Sequence, residues 1–229
     1  GLGTSTTPGD ARLKESVAGR PLGELCLVTA GGTPSRARQE FWGGDVPWVK
    51  ISDMLQGVIT GTEERLSGLG LNSSAAKLLP RGTVLLSIFA TIGRTAVLGI
   101  EAATNQAIVG LTIKHPELVE AGYLRRFLDH KAVELAGRAR GVAQANINGS
   151  ILKSLVVPVP PLTEQRRIAD FLDRADAMRA KRREAIALLE SLSGAAYREL
   201  FGDPRENPRG WPGANLGDLI ASGPQNGLY

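Results

Sequence analysis

The chain is poor in the side chains on which covalent and metal chemistry usually depend. Its 229 residues hold one cysteine, Cys26, and two histidines, His115 and His130. One thiol excludes an internal disulfide and a cysteine-built zinc cage, and two imidazoles leave little for a histidine-rich metal site. No apolar run approaches the roughly 18 residues that a membrane span requires. Residues 1–20 are polar and of mixed charge, which is not the pattern of a secretory signal. A soluble cytoplasmic protein is the expectation. Aromatic residues make up only 5%, so Val, Leu, Ile and Ala must build the core.

The catalytic signatures are missing as well. There is no G-x-S-x-G, no H-E-x-x-H and no phosphate loop. Asp45, Asp53, Glu63 and Glu64 lack the acid-x-Lys pair of a magnesium nuclease. Asn207-Pro208-Arg209-Gly210 does not supply the Asn-Pro-Pro-aromatic motif of an adenine methyltransferase. Binding without catalysis, and with no cofactor, is the expectation.

Negative charge is absent from two long stretches. No Asp or Glu occurs from Arg65 to Ile100, which holds Arg65, Lys77, Arg81 and Arg94. None occurs from Leu135 to Thr163, which holds Arg138, Arg140 and Lys153 beside Gln144, Asn146 and Asn148. In a chain with 23 acids and a net charge of +4, such gaps suit a surface that meets phosphates. A buried sheet that lacks acids because strands do would leave the same gaps.

Residues 1–20 read as a flexible leader. From 21 to 161, short apolar runs alternate with turn residues. Glu24–Val28, Val46–Ile51, Thr83–Phe89, Thr95–Leu98 and Ala107–Ile113 read as strands with mostly local pairing, and Ser73–Leu79 and Pro116–Ala139 as helices. The texture changes after Pro158-Val159-Pro160-Pro161. Thr163 is a plausible N-cap, with Glu164 at the positive end of the helix dipole. The pattern predicts one helix over 162–201, of which about 38 residues past the cap span roughly 57 Å at 1.5 Å per residue. Ile168, Leu172, Ala175, Ile186, Leu189, Ala196 and Leu200 fall on one stripe, and Phe171, Met178, Ala185 and Leu192 on its neighbour. A helix of this length needs a partner helix to cover that stripe, although Arg179 and Arg182 interrupt the seam. The fold class expected is α+β, a strand-rich domain followed by a long coiled-coil-forming helix. Residues 202–229 read as a linker and the opening of a second domain, because Leu216-Gly217-Asp218-Leu219 echoes Leu22-Gly23-Glu24-Leu25.

Five motifs occur in order: Gly31-Gly32-Thr33-Pro34-Ser35, Val46-Pro47-Trp48-Val49, Asn105-Gln106-Ala107, Gln144-Ala145-Asn146-Ile147, and Pro158-Val159-Pro160-Pro161-Leu162-Thr163-Glu164-Gln165. Together with the helix that follows, they resemble the specificity subunit of type I restriction-modification enzymes. The resemblance implies a DNA target recognition domain over 21–161 that reads one half of a bipartite site, and a spacer and dimerisation helix over 162–201. It implies docking to adenine methyltransferase subunits, with restriction subunits joining the complex. It also implies pairing with a second recognition half, in the same chain or as a homodimer; a two-fold dimer would read a symmetric target. Arg36, Arg38, Lys50, Arg81 and Arg94 are the candidates for phosphate contact. Thr33, Ser35, Gln144, Asn146 and Asn148 are those for reading bases or holding the reading loop. Trp48 reads as a core aromatic. The competing reading is a helical dimerisation scaffold that reads no DNA sequence.

Overall fold

The structure is a computed structural model that describes residues 18–89, 91–140, 147, 149–203 and 205–220. The leader up to residue 17, Gln144, Asn146, Asn148 and residues 221–229 lie outside the described residues. The chain divides into two units, with the boundary between Asp173 and Arg174.

In the first unit, β2 (Cys26–Ala30), β9 (Ile108–Ile113), β6 (Val84–Ser87), β7 (Thr95–Leu98) and β4 (Val58–Ile59) form a five-stranded sheet in that spatial order. All its neighbours are antiparallel except β4 and β7. A second sheet sets β3 (Trp42–Val49) between β5 (Glu64–Leu66), antiparallel, and β8 (Ala103–Thr104), parallel. A two-stranded ribbon pairs β1 (Gly19–Pro21) with β10 (Val156–Pro158). The expectation of mostly local pairing is corrected here: β2 joins β9 and β1 joins β10, so the chain closes on itself.

All four residues of β6 are buried, as suits a central strand covered on both faces. Val84 and Leu86 join Val109, Leu111 and the helical leucines Leu22, Leu25, Leu124, Leu128 and Leu152 in the main core. Leu85 belongs to a second core with Val49, Met54, Ile59, Leu98 and Ile108. The main core is roofed by α1 (Leu22–Leu25), α3 (Ala121–Arg140) and α4 (Gly149–Ser154). Cys26 sits in it, and burial pushes its thiol up to about 12.

Several local expectations need correction. Glu24 and Leu25 belong to α1, not to a strand, because Pro21 opens a turn that buries Leu22 and Leu25 three residues apart. The helix expected over Ser73–Leu79 is α2 (Gly68–Asn72), capped by Ser67, whose Oγ accepts from the Gly70 N–H at 3.1 Å. Ser74 accepts from the Ala76 N–H at 3.2 Å, the local competition by which serine turns a chain away from helix. Ile51 opens a 3-10 turn, Ile51–Gln56, in which the Lys50 N–H donates to the Asp53 carboxylate. The helix expected from Pro116 starts at Ala121.

The long helix, α5 (Leu162–Phe201), is present as expected. Its first carbonyl acceptor is Pro161, not Thr163: the Glu164 and Gln165 N–H groups donate to it at 2.9 and 3.1 Å. Within the first unit its opening turns are fastened to the globule. Gln165 is fully buried; its Oε1 accepts from the Glu120 N–H at 2.9 Å, and its Nε2 donates to the carbonyls of Leu118 and Pro160, each at 2.7 Å. Arg125 and Arg126 both bind Asp173. Ile168, expected on the pairing seam, packs instead on its own globule's main core.

In the second unit, α5 ends in a compact cap. Gly202, at φ 81°, donates to the Arg198 carbonyl at 2.8 Å. Arg209 donates to the carbonyl of Glu199 and the Trp211 indole to that of Phe201. The segment then forms α6 (Leu216–Leu219). This turn repeats α1 in shape: the preceding residues have φ −57°, ψ 136° at Pro21 and φ −71°, ψ 138° at Asn215. The leucines of α1 are 0% and 1% exposed, whereas those of α6 are 72% and 71% exposed.

Replacing Gln165 by Leu leaves three backbone groups of the interface unpaired. The substitution is expected to lower stability by about 2–4 kcal/mol, measured by urea denaturation; a loss under about 0.5 kcal/mol would show that the amide is not holding the helix.

Candidate nucleic-acid interface

The loop between β2 and β3 is held by its backbone. Gly31 and Gly32 donate to the carbonyls of Ile108 and Thr104 at 3.0 and 2.8 Å. Any side chain would break this approach, since a Cβ on Gly31 would lie 2.0 Å from the Asn105 carbonyl oxygen and one on Gly32 2.3 Å from the Ala76 nitrogen. Two indoles then grip the loop: Trp48 donates to the Gly32 carbonyl at 3.0 Å and Trp42 to that of Ser35 at 3.2 Å. Trp48 is buried, the core role expected of it. The rings meet edge to face, 5.0 Å apart, the arrangement their quadrupoles favour.

Arg36 lies on this aromatic shelf, its guanidinium 3.8 Å from the centroid of Trp42. It bonds Glu64, which also takes Lys50 at 2.8 Å, while Lys50 reaches Glu63 at 2.7 Å. Arg36 holds the Glu64 carboxyl below its ordinary range, and the hydrogen bond that Lys50 donates to Glu63 raises the Lys50 ammonium above its own. Two cations and two carboxylates therefore make a nearly neutral cluster around a cleft of about 310 Å³ lined by Arg36, Trp42, Gly43, Glu63, Glu64 and Arg65. Glu63 is 73% exposed at its side chain. Arg65, whose guanidinium donates to the carbonyls of Gly44 and Asp45, adds one positive charge to the cleft, so charged donors and acceptors stand side by side there.

The other candidates sit apart from this cluster. The Thr33 hydroxyl donates to the Gln106 side-chain oxygen, so Thr33 braces the loop. Arg38 lies 3.8 Å from Glu40 and over Phe41. Arg81 and Arg94 occupy opposite ends of the β6–β7 hairpin. Arg94 donates to the Ile51 carbonyl at 3.4 Å; Arg81 is exposed, with no acidic partner among the described residues. Sequence reasoning missed Trp42, Gln106 and the ion-pair roles of Glu63 and Glu64. The available signal was Asn105-Gln106, quoted as a motif without a role. Among the described residues no three potential metal ligands cluster, and no helix is long and apolar enough to cross a membrane.

The sequence profile of the family described as type I restriction modification DNA specificity domain matches residues 14–189. The chain belongs to this family. A relative within it, the type I restriction enzyme MjaIX specificity subunit of Methanocaldococcus jannaschii, is 26% identical over 88% of this chain and 52% of its own length. The HindI specificity subunit of Haemophilus influenzae is 32% identical over 62% of this chain and 31% of its own. The chain thus spans about half the length, or less, of these specificity subunits. The crystal structure of the HsdS subunit from Thermoanaerobacter tengcongensis shares the fold, with a TM-score of 0.61 and 24% identity over 86% of this chain and 47% of that one.

Glu64 supplies a pH test of the cluster. Its pKa is lowered in the folded state, so its contribution is present above the unfolded value of 4.5 and fades as pH falls through the folded one. Glu64→Gln is expected to flatten the loss of stability below about pH 4.5, read from urea midpoints against pH; an unchanged slope would contradict the ion pairing.

Proposed function

We propose that this chain reads one half of a bipartite DNA target without performing a catalytic step itself. In this reading it serves a type I restriction-modification complex, docking adenine methyltransferase subunits that restriction subunits join. It pairs with a second recognition half, in the same chain or as a homodimer. The observation that carries the reading is the neutral Arg36–Glu64–Lys50–Glu63 cluster on a tryptophan-held loop, in a chain of the DNA specificity family. Arg81, free of acids, is the phosphate contact in this scheme. The repetition of α1 by α6, with its leucines exposed, supports a second globule of the same kind opening at that point. The work of such a protein is recognition inside a cell, where its DNA is.

The scaffold alternative draws on the bare apolar stripe of α5, and DNA titration separates the two. Fluorescence anisotropy with double-stranded DNA, with and without an adenine methyltransferase partner, is the measurement. Arg81→Ala should weaken all sequences alike and reduce the salt slope of log K by about 0.9. Arg36→Ala should instead narrow the gap between the preferred sequence and others, a mismatch being worth about 1–3 kcal/mol. A scaffold would show neither difference.

A further inference from the structure

The cluster of Arg36, Glu64, Lys50 and Glu63 divides into a floor and two arms. Lys50 and Glu64 are the floor, with side chains 24% and 26% exposed. Lys50 Nζ lies 2.8 Å from Glu64 Oε1 and 2.7 Å from Glu63 Oε2, and the other Glu64 oxygen, Oε2, accepts from Arg36 Nη1. Both Glu64 oxygens and the ammonium are thus committed inside the cluster. The arms are Arg36 and Glu63, 55% and 73% exposed at their side chains. Each keeps a polar edge with no partner among the described residues: Nε and Nη2 on Arg36, Oε1 on Glu63. The guanidinium lies over the Trp42 ring at 3.8 Å, so the indole restrains it without using its N–H groups. Arg65 is different, because its Nε and Nη2 are already bonded to the carbonyls of Gly44 and Asp45.

A two-donor edge beside one open carboxylate oxygen has a single full complement in the major groove. Guanine presents two acceptors, O6 and N7, and its cytosine partner presents the N4 amino donor next to them. An A·T pair satisfies the carboxylate through adenine N6 but then offers the arginine only separated acceptors, adenine N7 and thymine O4, never two on one base. We propose that Arg36 and Glu63 read one G·C pair of the DNA target, Arg36 donating to guanine O6 and N7 and Glu63 accepting from cytosine N4. The inference rests on the DNA reading proposed above and assigns that site its base pair. Lys50 and Glu64 are positioning residues. Glu64 holds Arg36 by Nη1 and leaves the Nε–Nη2 edge for guanine, while Lys50 holds one Glu63 oxygen and leaves the other for the amino group. The charge that Arg65 adds suits a guanine edge, on which both groove atoms are acceptors.

Modified bases in the duplex that the full chain selects from a random library, with an adenine methyltransferase partner present, test the assignment by fluorescence anisotropy. At one guanine, 7-deazaguanine, which lacks N7, should weaken binding by the wild-type chain roughly tenfold. N4-methylcytosine at the paired cytosine, which sets a methyl group where the carboxylate accepts, should cost a similar factor. R36A should abolish the first effect and E63A the second, whereas E63Q, which keeps a side-chain oxygen, should retain sensitivity to N4-methylcytosine. The base replacements act on the wild-type chain, so their outcome does not depend on a variant folding. A selected sequence with no G·C pair sensitive to both replacements, or effects that R36A and E63A leave unchanged, would overturn this inference while the DNA reading stands. A library that returns no preferred sequence would overturn both.

Discussion

One buried amide fixes where the globule ends and the helix begins. Gln165 closes three hydrogen bonds with backbone groups of two segments, the entrance to α3 and the proline turn before α5. Backbone groups buried at such a junction cost about 1–3 kcal/mol each when unpaired. Glutamine suits the position because it offers an acceptor and two donors on a neutral head. A charged side chain there would bring a desolvation cost that no nearby ion offsets. The Arg125 and Arg126 bonds to Asp173 add a second fastening two turns later, at the rim, where screening makes each pair worth little alone. The first three turns of α5 are therefore part of the first globule, whose main core extends to Ile168, and Ala169 is buried as well.

The loop between β2 and β3 follows the same economy on a smaller scale. Its two glycines let backbone meet backbone, and two indole N–H groups hold its carbonyls. Its conformation is thus set by main-chain contacts, which leaves Arg36 free to lie across Trp42 and pair with Glu64. Neutralising a guanidinium in this way removes its value as a bulk phosphate anchor and keeps its directional N–H groups. In the proposed reading, affinity for the DNA backbone belongs to cations outside the cluster, such as Arg81, and discrimination to the cluster itself.

The parts of the fold legible in the sequence were those with a period. The 40-residue helix announced itself through its apolar stripe and its lack of proline, and strands such as Thr95–Leu98 emerged with their expected bounds. Short elements were misread where side-chain chemistry competes with pattern. Ser73 looked like a helix start, yet Ser67 is the one whose hydroxyl meets a free N–H. The pairing of β2 with β9 carries no local signature, since it is decided by which apolar faces remain to be covered once the chain has collapsed. In the candidate site, Arg36 and Lys50 were identifiable as cations. Their neutralisation was not, because Glu63 and Glu64 lie far along the chain and reach them only through the pairing of β3 with β5. Gln165 stood in a quoted motif with no hint of its burial.

Sequence-dependent DNA binding is the claim on which the functional account stands. Selection of bound duplexes from a random double-stranded library, by the chain alone and with an adenine methyltransferase partner, tests it most directly. The account expects a short motif to be enriched, and the enrichment to weaken when Arg36 or Glu63 is replaced by Ala. A library that returns unenriched under both conditions, while the chain still self-associates through α5, would contradict it.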